Sequence, residues 1–536
     1  MKTANVWSSF TPQITTRNLL ALSAVMIVLV FLLQGNAGFN PADEGFLWYG
    51  TIRTAFGEVP IRDFQSYEPG RYYWGALWFK VLRNDGIMAL RISQAVFQFV
   101  GLSLALLLLR RVLNSWFPLI FAAIILLRWM YPMWKIYEPV ILIAAIYFAV
   151  LIIEKPSRLR YLLAGIFIGL AGFFGRNHGL YCGVAFVLLL FYLNWTGDKR
   201  VFLQRLGVLS IGVVIGYLPM LLMFAFVPGF LSHFKTEVFF NLSYGSNHPL
   251  PVPWPWRQSY GSVGAREVIN RATIGVLYLV LPAFYLFALA RLFLRRTGNV
   301  HPIFIASAFL GVVYLHYTFD RPSLPYVAWT IPPFIFGLIA LPSSFFSDNR
   351  KKLQIAVWSI LVLFTVTALE MSRENYFTIK MKGFVKAKVL RRYGADFTQA
   401  MNAQGLVKTD VRGDSLWVLT DTATMIGRIK TIDQNLVGPN EQILIAPYMP
   451  GLYAVLQKRS PLWLTYFLAS RRHDEQEPMV QELERKRVSW ALVCHHYMDD
   501  RPELEFRQTH NVIWEYLVKN FDRTNLNPTC ELMHRR

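Results

Sequence analysis

The chain has 536 residues, of which 54% are hydrophobic and only 16% are charged. Soluble domains carry about 25% charged residues, so this balance excludes an ordinary soluble protein and favours one that crosses a membrane. The net charge of +21 does not indicate nucleic-acid binding. Most short basic clusters lie directly beside apolar runs, where membrane topology accounts for them.

Apolar runs recur along the first two thirds of the chain. Several approach the roughly 20 residues that a helix needs to cross a hydrocarbon core about 30 Å thick, and only helices satisfy every backbone group there. We read the first run as an uncleaved anchor, since only a weak cleavage region follows it. The pair of runs around residues 175–179 is short, so a re-entrant hairpin stays open there. About eleven spans are predicted, at residues 18–34, 87–109, 116–127, 139–153, 161–174, 180–193, 206–227, 273–290, 303–315, 326–341 and 353–369.

Basic residues alternate with these spans. If the N-terminus is cytoplasmic, every second connection is enriched in lysine and arginine, as the positive-inside rule predicts, and the C-terminal region lies outside. The enriched connections contain Arg110 and Arg111; Lys155, Arg158 and Arg160; Lys199, Arg200 and Arg205; Arg291, Arg295 and Arg296; and Arg350, Lys351 and Lys352.

One basic segment argues against this topology. It follows the last span and contains Lys380, Lys382, Lys386, Lys388, Arg391 and Arg392. Long translocated domains follow the charge rule weakly, and a basic amphipathic segment is able to lie on anionic lipid headgroups. We therefore keep the assignment.

The chain is expected to comprise a membrane domain at residues 1–369 and a second domain at residues 370–536. Short apolar stretches at 416–419, 443–446 and 489–494 predict buried strands that alternate with helical segments. A small extracytoplasmic α/β domain follows. The cysteines match no metal-ligand spacing, while one Cys494–Cys530 bridge is compatible with a location outside the cytoplasm.

The first outer loop, at about residues 35–86, is the most informative stretch. It contains the adjacent acids Asp43 and Glu44, followed by an aromatic segment at residues 62–74. The aromatic side chains predict packing against the membrane surface and other loops, which would hold carboxylates in a protected place. An acidic pair at a helix N-terminus also favours the helix dipole without any catalytic role.

The aromatic segment adds two further acids. Asp63 and Glu68 are candidates for contacts with a substrate. Ion pairs with Arg62 and Arg71 are an equally good explanation for them.

Polar residues of the other outer connections fall on the same predicted face. A charge near the hydrocarbon boundary is costly unless it is solvated or paired, so Arg176 and Arg321 require carboxylates, phosphate or water, although snorkelling explains either one. Their shared placement favours a lipid-phosphate substrate with its headgroup beside the arginines. These connections contain Arg176, Asn177 and His178; His233, Lys235, Asn247 and His248 in a Pro- and Trp-rich loop at about residues 228–270; and His316, Asp320 and Arg321.

Four separated motifs resemble the GT-C superfamily of integral-membrane glycosyltransferases, which includes protein O-mannosyltransferases and aminoarabinose transferases of lipid A. The resemblance covers nearly the whole chain. No large insertion separates the middle spans as in the O-mannosyltransferases, and Tyr67-Glu68-Pro69-Gly70 stands near the place of the Lys-Pro-Pro element of the aminoarabinose transferases. The motifs are Asp43-Glu44, residues 63–74, residues 175–181, and residues 446–453 followed by Lys458-Arg459.

The resemblance implies a hexosyl- or pentosyltransferase that takes a sugar from a polyprenyl-phosphate carrier, in a bacterial inner membrane. The acceptor would be a lipid, polysaccharide or protein, and membrane lipids are further partners. Asp43 is then the catalytic base and Glu44 its nearest substitute. Some relatives use a divalent metal at acidic loop residues, although nothing in this sequence requires one. Candidate substrate-binding residues are Asp63, Glu68, Arg71, Arg176, Asn177, His178, Lys235, His316, Asp320 and Arg321.

Two other functional classes stay open. A transporter or flippase of lipid-linked sugars would also contain many spans, but its site is expected near the midplane between repeated, interrupted helices. The polar residues here map to outer loops and helix ends, and no repeat is visible. A non-catalytic glycan-assembly component would keep the fold without turnover, so reconstitution with a lipid-linked donor separates the three classes.

Overall fold

The computed structural model describes residues 13–244, 249–261, 263–294, 300–345, 350–372, 376–391, 396–527 and 529–536. Five residues singled out in the sequence lie outside these ranges, namely Asn247, His248, Arg295, Arg296 and Arg392. Helices dominate the first 371 residues. They are α1 (Thr16–Gln34), α2 (Asp43–Ala55), α3 (Pro69–Leu82), α4 (Ile87–Leu109), α5 (Trp116–Trp129), α6 (Tyr137–Glu154), α7 (Arg158–Phe174), α8 (Arg176–Leu193), α9 (Lys199–Gly216), α10 (Leu218–Phe226), α11 (Phe230–Tyr244), α12 (Ala265–Leu294), α13 (Pro302–Asp320), α14 (Leu324–Thr330), α15 (Pro332–Phe345) and α16 (Arg350–Met371).

Many of these helices suit a membrane. Among the described residues, seven are long and apolar enough to cross it, and up to nine spans result if two bent helix pairs each form one span. The seven are α1, α4, α6, α8, α12, α13 and α16. Every predicted span coincides with a helix or a bent pair, so the chain is an integral membrane protein, while the number eleven stays a prediction.

Two predicted spans are interrupted. The stretch at 206–227 is divided between α9 and α10, and the stretch at 326–341 between α14 and α15. Proline explains both breaks, because it lacks the N–H donor and its ring clashes with the preceding helical turn. Pro219 is the second residue of α10, and Pro332 begins α15.

The chain divides into two compact units. The first comprises Met1–Phe31, Gln94–Leu218 and Ser246–Asn375. The second comprises Leu32–Ser93, Pro219–Gly245 and Tyr376–Arg536. The first outer loop therefore belongs to the same unit as the C-terminal residues.

The C-terminal part of the second unit is a mixed α/β arrangement. A hairpin of β1 (Leu406–Val411) and β2 (Asp414–Leu419) precedes a sheet of four strands, namely β3 (Ile443–Ala446), β4 (Trp490–Cys494), β5 (Phe521–Asn527) and β6 (Cys530–Arg535). The strand order is β3-β4-β6-β5, in which β3 and β4 are parallel and the other pairs antiparallel. The predicted strands fall on β2, β3 and β4. The elements are α17 (Tyr376–Phe384), α18 (Phe397–Asn402), β1 (Leu406–Val411), β2 (Asp414–Leu419), α19 (Thr420–Asn435), β3 (Ile443–Ala446), α20 (Gly451–Leu456), α21 (His473–Arg485), β4 (Trp490–Cys494), α22 (Phe506–Thr509), α23 (Asn511–Asn520), β5 (Phe521–Asn527) and β6 (Cys530–Arg535).

The sheet is held by an apolar core and a covalent bond. β3 and β4 are fully buried, as expected for parallel strands covered on both faces. Cys494 of β4 and Cys530 of β6 face each other in the ladder and are joined by a disulfide. The sequence did not predict β5, because its residues are mostly polar and exposed, as is usual for a strand at the edge of a sheet.

Candidate active site

Asp43 is the first residue of α2. The side chain of Asn40 organises this start, since its Oδ1 accepts hydrogen bonds from the N–H groups of Ala42 (2.9 Å) and Asp43 (3.0 Å). The first N–H groups of a helix have no partner within the helix, so Asn40 supplies acceptors there. The carboxylate of Asp43 is half-buried, which leaves it open to a ligand.

Tyr466 holds the Asp43 carboxylate from the C-terminal part of the same unit. Its hydroxyl donates a hydrogen bond of 3.0 Å to Oδ1 of Asp43. Burial raises the pKa of Tyr466 well above its usual value, and the charge of Asp43 adds to this effect. The phenol therefore stays protonated and acts as a donor at neutral pH.

Gln65 fixes Tyr466 in turn. Its Oε1 accepts hydrogen bonds from the N–H groups of Thr465 (3.1 Å) and Tyr466 (2.8 Å). The ring of Tyr466 packs edge-on against Phe46 of α2, with centroids 5.4 Å apart. Backbone and ring are thus both set against the first loop, which limits the positions open to the phenol.

Glu44 has a different environment from its neighbour. It is fully buried, and its two carboxylate oxygens accept hydrogen bonds of 2.7 and 2.8 Å from Arg91. Arg91 also donates to the carbonyls of Gly35 (2.8 Å) and Gly38 (2.7 Å). Bidentate pairing of this kind is strong and geometrically specific, so Glu44 and Arg91 connect α2, the first residues of α4 and the segment that precedes α2.

The two other candidate acids of the first loop, Asp63 and Glu68, precede α3 in the chain. Asp63 accepts hydrogen bonds of 2.8 and 2.9 Å from Arg62 and one of 2.7 Å from the N–H of Val59. Burial alone would raise the pKa of Asp63, but these bonds lower it below its usual value. Asp63 therefore forms an ion pair with Arg62, which is the structural alternative to a substrate contact.

Glu68 and Arg71 are both buried at the start of α3. Glu68 occupies the N-cap position. The guanidinium of Arg71 lies 5.1 Å from the ring centroid of Tyr67. Lys235 of α11, in the same unit, is exposed.

The other predicted residues belong to the first unit, where α8 meets α13. His178 is buried, and its Nδ1 lies 3.1 Å from the hydroxyl of Tyr314. The hydroxyl of Tyr181 lies 2.8 Å from Nδ1 of His316. The start of α8 and the end of α13 are thus adjacent. The predicted residues on these two helix ends are Arg176, Asn177, His178, His316, Asp320 and Arg321.

Comparison with solved structures finds one of similar architecture and others of lower similarity. ArnT from Cupriavidus metallidurans bound to undecaprenyl phosphate has 12% sequence identity and a TM-score of 0.53, with 97% of this chain and 98% of that chain covered. The apo form of the same ArnT has 12% sequence identity and a TM-score of 0.44, with 96% of this chain and 98% of that chain covered. The archaeal oligosaccharyltransferase AglB from Archaeoglobus fulgidus, in complex with an inhibitory peptide and a dolichol-phosphate, has 12% sequence identity and a TM-score of 0.38. That comparison covers 89% of this chain and 69% of the AglB chain.

The first of these likenesses extends over almost the full length of both chains. The chain has the GT-C fold. No family model matches the sequence, and no curated protein matches it either. The predicted resemblance is therefore confirmed at the level of the fold.

The adjacent acids Asp43 and Glu44 do not form a two-carboxylate metal site at the start of α2. Both oxygens of Glu44 are engaged by Arg91, whereas hard divalent cations take several oxygen ligands. Among the described residues, one group has atoms close enough to share a metal, namely Cys494, His496 and Cys530. The disulfide between its two cysteines removes the thiolates that a metal would need.

The sequence did not predict two residues that the structure places at the acids, Arg91 and Tyr466. Arg91 carried a usable signal, because an arginine inside a predicted span is costly and requires a partner. Tyr466 carried none, since no local pattern connects it with a residue 423 positions earlier.

Proposed function

We propose that the protein is a glycosyltransferase that moves a sugar from a polyprenyl-phosphate-linked donor to an acceptor hydroxyl at the outer face of the membrane. The observation that carries the proposal is the half-buried carboxylate of Asp43, held by Tyr466 beside the buried Glu44–Arg91 pair. A GT-C fold shared with an ArnT bound to undecaprenyl phosphate supports the donor class. The acceptor is a lipid, a polysaccharide or a protein.

The proposed reaction is a single displacement. The acceptor oxygen forms a bond to the anomeric carbon, and its proton passes to Asp43. The bond between that carbon and the phosphate oxygen breaks, so the polyprenyl phosphate leaves with the electron pair from the opposite face. This geometry inverts the anomeric configuration. General-base help of this kind contributes typically about 10²–10⁴ in rate.

Asp43 is the better candidate for the base than Glu44. A base must reach the acceptor hydroxyl, and Glu44 is fully buried with both oxygens bound to Arg91. Tyr466 contacts one oxygen of Asp43, which leaves the other for the acceptor. Glu44 then contributes by fixing the start of α2.

Cations are needed where the phosphate leaves, since preorganised charge is a large part of transition-state stabilisation. We assign this role to Arg71, Arg176 and Arg321, with Lys235 and His178 as further candidates. Glu68, Asn177, His316 and Asp320 are proposed to contact the substrates, whereas Asp63, which the sequence also offered for this role, is engaged by Arg62 and the N–H of Val59. Each assignment is tested separately by substitution with glutamine, asparagine or alanine.

The proposed orientation has a cytoplasmic N-terminus and an extracytoplasmic C-terminal domain at residues 370–536, following the membrane domain at 1–369 in a bacterial inner membrane. The Cys494–Cys530 disulfide supports it, because disulfides persist in oxidising compartments and are rare in the cytosol. The basic connections between spans support it as well.

Reconstituted protein tests the proposal against its alternatives. Purified full-length protein in liposomes, given a labelled polyprenyl-phosphate sugar and a membrane extract as acceptor, is expected to transfer label to an acceptor. Movement of the donor across the bilayer without transfer would instead identify a transporter. Lipid and glycan profiling of a deletion strain identifies the sugar, since the unused donor accumulates and its product is lost.

A further inference from the structure

A cavity of about 310 Å³ lies between the N-terminal ends of α7 and α9, within the first unit. Ligand pockets span roughly 300–1,000 Å³, so this one has room for a small headgroup. No carboxylate lines it, and the mechanism proposed above does not use it. Its polar lining consists of Ser157, Arg158, Tyr161, Gln204 and Arg205.

Glycines explain why the cavity forms at this end of the helix pair. A Cβ atom on Gly165 would lie 2.1 Å from the carbonyl oxygen of Leu209, and one on Gly212 would lie 2.3 Å from that of Leu162. The two backbones therefore touch along this stretch. Towards the N-termini, Tyr161 lies one turn before Gly165, and Arg205 lies one turn before Leu209. These positions have large side chains, and space opens between the helices.

Tyr161 supplies a buried hydroxyl without a partner. Its side chain is 2% exposed, and the hydroxyl has no hydrogen-bond partner among the described residues. Burying such a group without a partner costs free energy. A ligand with acceptor oxygens in the cavity would remove that cost.

Two arginines give the cavity its charge. The guanidinium of Arg205 lies 5.7 Å from the ring centroid of Tyr161, and its Nη1 donates a hydrogen bond of 2.6 Å to Asn194. Further N–H groups of Arg205 are available for a ligand, because a guanidinium has five. Arg158 has no ion pair among the residues that the structure describes. Two cations without a neighbouring carboxylate favour the binding of an anion. The planar guanidinium of an arginine binds phosphate with two parallel hydrogen bonds.

The surroundings of the cavity favour a lipid over a soluble anion. Leu159 of α7 is 63% exposed and Leu203 of α9 is 61% exposed. Such side chains on helices of a membrane protein are positioned for hydrocarbon. A lipid would place its phosphate in the cationic cavity and its acyl chains along the two exposed leucines.

We propose that this cavity binds the phosphate of an anionic phospholipid such as phosphatidylglycerol. Its location in the cytoplasmic leaflet rests on the orientation proposed above, and basic pockets between helices on that side are recognised sites for anionic headgroups. Tyr161 and Arg205 bind the phosphate oxygens, while Arg158 at the mouth contributes charge.

The test is retention of phosphatidylglycerol by the purified full-length protein, measured by native mass spectrometry with phosphatidylcholine as the zwitterionic comparison. Tyr161→Phe keeps the ring and removes the hydroxyl. Arg205→Gln removes the inner charge, and Arg200→Gln removes an exposed charge of α9 that does not line the cavity. We expect phosphatidylglycerol binding to fall about tenfold in Arg205→Gln and severalfold in Tyr161→Phe, and to be unchanged in Arg200→Gln.

Other outcomes would overturn the proposal. Equal retention by all four proteins, or equal binding of the two lipids, would exclude a specific anionic site. Inorganic phosphate is the second probe. If it binds and displaces phosphatidylglycerol, the cavity serves a soluble phosphate compound and the lipid assignment is wrong. None of these readouts depends on sugar transfer, so the outcome is independent of the proposed catalytic activity.

Discussion

The hydroxyl of Tyr466 donates a hydrogen bond of 3.0 Å to Oδ1 of Asp43. A residue from the C-terminal part of the chain thereby sets the side chain proposed as the catalytic base, while Arg91 engages the neighbouring Glu44. The two adjacent acids consequently have different roles. One is positioned but accessible, and the other is buried and structural.

Tyr466→Phe should lower kcat without unfolding the protein. The substitution keeps the ring packing against Phe46 and removes one hydrogen bond to a carboxylate. We expect kcat to fall about tenfold, equivalent to about 1.4 kcal/mol, with KM nearly unchanged. Steady-state kinetics with a lipid-linked donor measures this. Tyr448→Phe, which removes a hydroxyl bonded to the carbonyl of His496, is the matched control and should keep normal turnover. Equal kcat values in wild type and Tyr466→Phe would refute the positioning role.

Arg91→Gln should destabilise the protein severely. It leaves Glu44 buried without its cation, and breaking a buried ion pair costs about 3–5 kcal/mol. Thermal unfolding in detergent should show a large drop in Tm. Arg62→Gln is the control. It breaks a partly exposed ion pair with Asp63 in the first outer loop and should cost no more than about 1 kcal/mol. Similar Tm values for the two variants would contradict the structural role of Arg91.

Thiol counting tests the disulfide. The denatured, unreduced protein should react with an alkylating reagent at Cys182 alone, and all three cysteines should react after reduction. The bridge closes a loop with a sequence separation of 36 residues, so Cys494→Ser should cost about 4 kcal/mol. Three reactive thiols before reduction would exclude both the bridge and its support for an extracytoplasmic domain.

His510 should make the protein sensitive to acid. Burial lowers the pKa of His510 to about 3, whereas an unfolded histidine titrates near 6.5. Between these values the unfolded state binds more protons, so stability falls as pH drops below 6.5. The loss at pH 5 should be about 2 kcal/mol.

His510→Phe isolates this effect, because it removes the titrating ring nitrogen and keeps an aromatic ring between Phe506 and Phe467. The Tm of the variant should decline less than that of wild type between pH 7 and pH 5. His473→Gln changes an exposed histidine and should follow wild type. Parallel declines in all three proteins would assign the acid sensitivity to other groups.

The membrane-spanning helices could be predicted from the sequence because a long apolar run has few stable structures other than a helix in the membrane. The run at 87–109 coincides with α4, and the stretch at 443–446 coincides with β3. The breaks at Tyr217 and Ile331 were missed, since hydropathy continues across them although a proline follows each one closely. β5 was missed because an edge strand has no apolar alternation.

The candidate site was accessible only in part. Adjacent acids in an aromatic loop pointed to Asp43 and Glu44, yet nothing local distinguishes the accessible carboxylate from the buried one. That distinction depends on Arg91, which lies in a predicted span, and on Tyr466, which is remote in sequence. Contacts between distant segments are set by tertiary packing, so pattern alone does not reveal them.

The most direct test of the account is the rate of sugar transfer by Asp43→Asn, which keeps the shape of the side chain and removes its ability to accept a proton. Asp410→Asn removes an exposed acid of β1 and controls for expression and folding. We expect Asp43→Asn to lose at least about 10²-fold in kcat, with the Tm preserved and Asp410→Asn fully active. Wild-type transfer by Asp43→Asn would contradict the assignment of Asp43 as the base.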